Sequence, residues 1–252
     1  MTHTSVAADR FVEGDFRVGS VISRSASVLS RHFLAFLIVT LIAYSPILLE
    51  AGTQSSEPTD LAQALSMLAW AVLGLVLLIV VGTLGQTVIM HAALQDMRRR
   101  QVRLTESLNV GLRRLLPIIG LAFVAGLLVL LGLILLIIPG LVLYTMWFVG
   151  VPACLVERLG PWTSLRRSRE LTKGHRWKLF GLALLLIIPS LGSLAIEFGL
   201  AAVAGPIVGL VGKLIWTGIW AAFAAVLVAV AYHDLRVVKE GIDIEQIAAV
   251  FD

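Results

Sequence analysis

The chain has 252 residues, of which 58% are hydrophobic and 14% charged, with a formal net charge of +4. Its mean hydropathy is +0.94 and its pI about 9.6. A water-soluble domain is excluded, because globular chains run at roughly 45–50% apolar and 25% charged and too little polar sequence is present here to cover the apolar surface. The positive charge does not point to nucleic acid: the basic residues flank long apolar runs, which places them at a membrane surface. Cys154, the single cysteine, admits no intrachain disulfide and no cysteine metal cluster, and reads as a buried inert thiol. Residues 1–31 have no apolar core of a signal peptide and carry Asp9, Glu13 and Asp15.

Residues 1–15 read as a polar tail. Val18, Val21, Ile22, Val28 and Leu29 then fall on one helical face, while Arg17, Arg24 and Arg31 recur every seven residues on another. This predicts an amphipathic helix over 18–31, lying in the headgroup layer or packed on the protein with a solvated charged face. A first span follows over 33–49, with Pro46 expected to kink or end it. Glu50 to Asp60 is an acidic loop. Leu61 to Gln95 then runs 35 residues without a charge, about 50 Å as a helix, against the ~30 Å of a hydrocarbon core. The span is placed at 65–90, with the helix protruding to the Arg98-Arg99-Arg100 cluster and His91 at the interface.

Residues 104–116 repeat the amphipathic theme, Leu104, Leu108 and Leu112 opposing Glu106, Arg113 and Arg114. Leu115 to Val156 is uncharged for 42 residues, about 63 Å of helix, so it must fold back. Pro139-Gly140 is the breaker that divides it into spans 117–138 and 141–156, and Pro152 is expected to bend the second. Next comes a belt, Glu157 to Lys178, with seven basic residues. It predicts an interfacial helix over 162–175, with Trp162, Leu165 and Thr172 facing lipid or bundle, Gly174 as the stop and Trp177 at the interface. Spans at 179–196 and 207–232 complete the set, joined by a Gly- and Pro-rich bend. Residues 233–252 form the C-terminal tail, where Gly241 ends the last helix and Asp243 caps a further turn.

The fold class expected is an all-α polytopic membrane protein, a single integral membrane domain of six transmembrane helices. They form three hairpin-like units, each preceded by an amphipathic interfacial helix. With six spans, nineteen of the 20 Lys and Arg fall on one side and only Lys213 on the other. The positive-inside rule then puts both termini in the cytoplasm, with the protein in a bacterial inner membrane. Because each unit has two spans, the units run parallel about an axis along the membrane normal, around a central cleft.

No catalytic motif is present: no HExxH, GxSxG or P-loop, and no carboxylate pair at helical spacing within a span. Glu197 and Lys213 are the ionisable residues inside spans. They are read either as a polar pair gating a path or as two side chains snorkelling to the interface. The headgroup-binding candidates are Arg17, Arg24, Arg31, Arg113, Arg114, Arg166, Arg167, Arg169, Lys173 and Arg176. In particular, the guanidinium forks of Arg166 and Arg167 suit phosphate.

Several runs carry a resemblance. They are Asp15-Phe16-Arg17-Val18-Gly19, Leu159-Gly160-Pro161, Leu165-Arg166-Arg167-Ser168, Leu171 to Trp177 and Tyr232-His233-Asp234-Leu235-Arg236. Together they resemble a bacterial multi-pass family named after the membrane domain of glycerophosphoryl diester phosphodiesterase. The resemblance covers nearly the whole chain and implies a membrane module associated with phospholipid. It does not imply the phosphodiesterase activity, which resides in a separate soluble domain, and it assigns no functional residues. The expected function is therefore non-catalytic, with no cofactor, metal or nucleic acid. A basic cytoplasmic collar would hold anionic phospholipid headgroups or an envelope partner. The alternative is a transporter or channel for a lipid or small solute through the cleft.

Overall fold

The computed structural model of the protein describes residues 16–52 and 60–240. Among these residues the structure is helical throughout, with no strand. The helices are α1 (Val18–Arg31), α2 (Phe33–Tyr44), α3 (Leu61–Met97), α4 (Leu104–Leu135), α5 (Ile137–Met146), α6 (Gly150–Val156), α7 (Pro161–Thr172), α8 (Arg176–Ala204) and α9 (Pro206–Glu240). A 3-10 stretch, Ser45–Gly52, follows α2. Five helical segments are long and apolar enough to cross a membrane, counting α5 and α6 as one. A sixth is reached if α1 and the segment Phe33–Leu49, bent by 88°, count as one broken span. The polar tail over 1–15, most of the acidic loop and the turn at Asp243 lie outside the described residues.

Several boundaries differ from expectation for identifiable reasons. The first apolar run is α-helical only to Tyr44. Pro46 cannot continue the α-helical ladder, so the chain tightens into the 3-10 stretch. Residues 104–116 are not a separate interfacial helix but the first turns of α4, which continues through Pro117. One buried stripe, Ser107, Gly111, Ile118 and Leu121, runs past the proline on the same face, so packing overrides it. The fold-back comes at Leu136, which is extended (φ −164, ψ 140). Pro139 then sits in the first turn of α5, where its missing N–H costs nothing.

The second arm breaks between Met146 and Gly150 rather than at Pro152, which lies in the first turn of α6. The belt helix α7 stops at Thr172, three residues short of expectation, and Gly174 adopts φ +91 in the turn that follows. A left-handed position there favours glycine because it lacks a Cβ. By contrast, α9 runs on to Glu240, the residue before the Gly241 expected to end it, so the first part of the tail segment, from residue 233, is helical.

Burial divides the molecule into a basic half and a far half. The basic half holds α1, α6, α7, the end of α3 and the end of α9. There, Val88, Ile89, Met90, Ala92, Ala93 and Leu94 of α3, and Ala225 through Tyr232 of α9 except Val228, are buried. In the far half, Leu61, Leu65, Leu68, Trp70 and Leu75 of α3 are exposed, as are Ile134 to Ile138 at the α4–α5 turn. α9 packs against α1, α2, α3, α6, α7 and α8. It is the helix that the other elements of the buried half share.

Candidate functional site

The basic half ends in a layer of ion pairs that ties helix ends together. Glu157, just past α6, accepts both bonds from Arg167 Nε at 2.9 Å and one from the Tyr232 hydroxyl at 2.9 Å. Arg167 Nη2 also reaches Glu240 at the end of α9, and Arg236 Nε donates to the same carboxylate at 2.7 Å. Two carboxylates and two guanidiniums thus close a neutral network joining α6, α7 and α9. Elsewhere Arg24 pairs with Asp234 at 2.8 Å, and Asp96 takes both Arg31 and, at 3.0 Å, the His32 ring. Three residues expected at headgroups, Arg24, Arg31 and Arg167, are therefore engaged by carboxylates of the protein itself. Arg114 Nη1 donates to the Arg158 carbonyl at 3.3 Å, while Arg17 and Arg113 are exposed.

Two turns in this layer are left-handed at arginine: Arg99 at φ 53 and Arg158 at φ 55. At Arg99 the reason is the end of α3. Arg100 N–H donates to the Gln95 carbonyl and Arg99 N–H to that of Asp96, both at 3.0 Å. This double closure satisfies carbonyls that a helix end leaves open. Burial, with Arg100 and Arg236 nearby, lowers the Arg98 guanidinium below its usual value.

α7 is seated by hydroxyls. Ser164, Ser168 and Thr172 recur every four residues and are fully buried. Ser168 and Thr172 both donate to the Met146 carbonyl at the end of α5, at 3.0 and 3.2 Å. Leu165 is buried on the same side, whereas Trp162 is 70% exposed.

This seating turns the other face of α7 outward. Arg166, Arg169, Glu170 and Lys173, with Arg176 from the start of α8, line an open groove of about 360 Å³. Arg166 pairs with Glu170 one turn on, at 3.3 Å and well exposed. Four cations against one carboxylate leave the groove at +3. Arg176 Nε lies buried in this wall with no hydrogen-bond partner among the described residues. α8 begins here with no acidic residue in its first turn and no side-chain cap, so its helix dipole adds to the attraction for an anion. A groove lined by guanidinium and ammonium groups is chemically able to take a phosphate or carboxylate. No family model, no curated protein and no solved structure matches the chain. Among the described residues, no three His, Cys, Asp or Glu side chains gather as a metal site.

The far half holds one polar contact between helices that the sequence singled out. Lys213 Nζ lies 3.2 Å from Glu197 Oε2, with side chains 17% and 12% exposed. α8 and α9 come close enough for this because Gly209 meets the α8 backbone. A Cβ there would lie 2.5 Å from the Glu197 carbonyl oxygen. His91, read as interfacial, bonds the buried Ser107 hydroxyl at 2.9 Å and so joins α3 to α4.

Sequence reasoning missed the carboxylates. Glu157, Asp96, Asp234 and Glu240 each look like a loop or tail charge, and apart from Arg236, four residues before Glu240, the partners described above lie 10 to 210 residues away. The hydroxyl stripe was detectable, since serine, serine and threonine at four-residue spacing mark a helix face that packs tightly.

Proposed function

We propose that the protein is a non-catalytic, multi-pass protein of a bacterial inner membrane whose basic end holds anionic phospholipid headgroups. On this reading both termini are cytoplasmic and the six spans form three parallel units. α1 lies along the interface, and the chain is a membrane module of the glycerophosphoryl diester phosphodiesterase membrane-domain type. The observation that carries the reading is the α7–α8 groove. Its cations are not all consumed by protein carboxylates, unlike Arg24, Arg31 and Arg167. Each Lys or Arg near an anionic surface contributes about 1 kcal/mol, an effect that salt screens.

The test is lipid retention. Protein exchanged into an equal mixture of phosphatidylglycerol and phosphatidylethanolamine is expected to retain the anionic lipid, as read by native mass spectrometry. Equal retention overturns the reading. The topology is tested separately with single cysteines at Ser5 and Ser55, of which only the second is expected to react with an impermeant reagent in intact cells.

A second reading, a transporter or channel, is favoured by the Glu197–Lys213 pair, since ionisable groups inside spans mark pathways by default. It requires that Glu197→Gln alter solute or lipid flux in proteoliposomes. Unchanged flux leaves the pair as a packing contact.

A further inference from the structure

Three helices of span-forming length or position start at the basic end, and they differ in how their N-termini are compensated. α2 starts at His32, whose ring lies on Asp96, and α4 carries Glu106 in its first turn. α8 has neither an acid nor a side-chain cap, and it is α8 that borders the +3 groove and supplies the unpartnered Arg176 Nε. From the same point an apolar stripe descends α8. Trp177, Phe180, Leu184, Ile188 and Leu191 are spaced three or four residues apart and lie on one face. Trp177 is 86% exposed, and Leu184, Ile188 and Leu191 are exposed below it. Trp177 and Phe180 meet edge-on at 6.0 Å, directly beside Arg176. The stripe covers about 20 Å of helix, more than the ~15 Å depth of one leaflet. A headgroup socket and an acyl track therefore meet at one helix end.

We infer that this composite site binds one phospholipid whose headgroup carries two negative charges, its phosphate in the groove and one acyl chain along the α8 stripe. The proposal rests on the headgroup-binding reading above and narrows it to a place and a class. Charge selects the class. After Arg166 is set against Glu170, Arg169, Lys173 and Arg176 remain. A single phosphodiester offsets one of these three cations. A phosphomonoester carries roughly −1.5 to −2 at neutral pH, and a lipid with two phosphodiesters carries a comparable charge. Such headgroups bring the groove close to neutrality. Arginine supplies the planar fork that suits phosphate oxygens, and lysine a point charge.

The experiment competes phosphatidic acid, cardiolipin, phosphatidylglycerol and phosphatidylethanolamine for the intact protein, read by native mass spectrometry. Phosphatidic acid and cardiolipin are expected to be retained over phosphatidylglycerol. The paired change Arg169→Gln with Lys173→Gln, at exposed positions, should lower that preference about fivefold per cation removed, about thirtyfold together. Arg100→Gln with Lys239→Gln, both exposed, removes the same charge outside the groove and should leave the preference ratio intact. Trp177→Ala should weaken retention of every lipid without changing the ratio.

Preference for anionic over zwitterionic lipid with no distinction between singly and doubly charged headgroups overturns this inference and leaves the headgroup-binding reading standing. No anionic preference at all overturns both. Equal loss in the Arg100/Lys239 control means diffuse charge rather than the groove. Full displacement of the lipid by excess inorganic phosphate eliminates the acyl track.

Discussion

The two halves of α3 show how this chain distributes its residues. Residues 61–79 are crowded with leucine and are largely exposed, whereas residues 82–95, richer in Gly and Thr, are largely buried. α9 repeats the contrast, with alanine at 221, 222, 225, 229 and 231 in its buried stretch. A water-soluble protein would do the reverse and bury leucine first. In a bilayer, lipid chains are as apolar as leucine and give no drive to hide it, so helices associate where small residues let backbones approach. The Leu-rich far half is solvated by lipid, and the small-residue half is where the protein holds itself together. Polar contacts follow the same division. The Glu157 network and the Met146 seat lie in the tight half, while the far half holds the Glu197–Lys213 pair.

The sharpest way to break this contrast is to remove the hub. Glu157→Ala leaves Tyr232 without its acceptor and Arg167 with Glu240 alone, and is expected to cost about 3 kcal/mol of stability, since a largely buried hydroxyl is left unsatisfied and a buried charge network loses one of its two carboxylates. A thermal melt in detergent reads it against Ile188→Ala on the exposed face of the far half, expected to shift by less than about 0.5 kcal/mol. If the two fall equally, the halves are not mechanically distinct.

Next is Lys213→Met, which strands a largely buried Glu197 and should cost about 2 kcal/mol. The double change with Glu197→Gln should recover most of it, because the second charge is then no longer unpaired. No recovery would mean that Lys213 acts through packing alone. Ser168→Ala removes one of two donors to the Met146 carbonyl, and about 1 kcal/mol is expected because Thr172 still satisfies it. The smallest effect belongs to Arg99→Gly, which relieves a left-handed side-chain position and should stabilise by up to about 1 kcal/mol. Destabilisation there would show that the Arg99 side chain contributes more than its backbone strain costs.

The helical class and the apolar spans were legible because uncharged runs longer than a bilayer's thickness leave few alternatives. Helix ends were less legible. Pro139 and Pro152 look like breakers, yet each falls within the first turn of a helix, where proline is tolerated. Left-handed turns went unseen at Arg99 and Arg158 because the expected signal is glycine. The collar was read as charge facing lipid because arginines announce themselves. Their acidic partners come from distant elements, and no local pattern reveals that Arg24 meets Asp234. The Glu197–Lys213 pair was within reach: each lies eight residues from Gly205, so a hairpin turning there sets them level.

The place of α9 has a consequence for how the protein is made. The helix that runs through the buried half is the last of the described helices to leave the ribosome, and it meets α1 across nearly the full described length. α8 and the α1–α2 segment must therefore wait in the bilayer without α9, against which they pack, kept there by their own hydrophobicity. Insertion and compaction are thus separate events in time. Leucine secures the first, and the alanines of the final helix bring about the second.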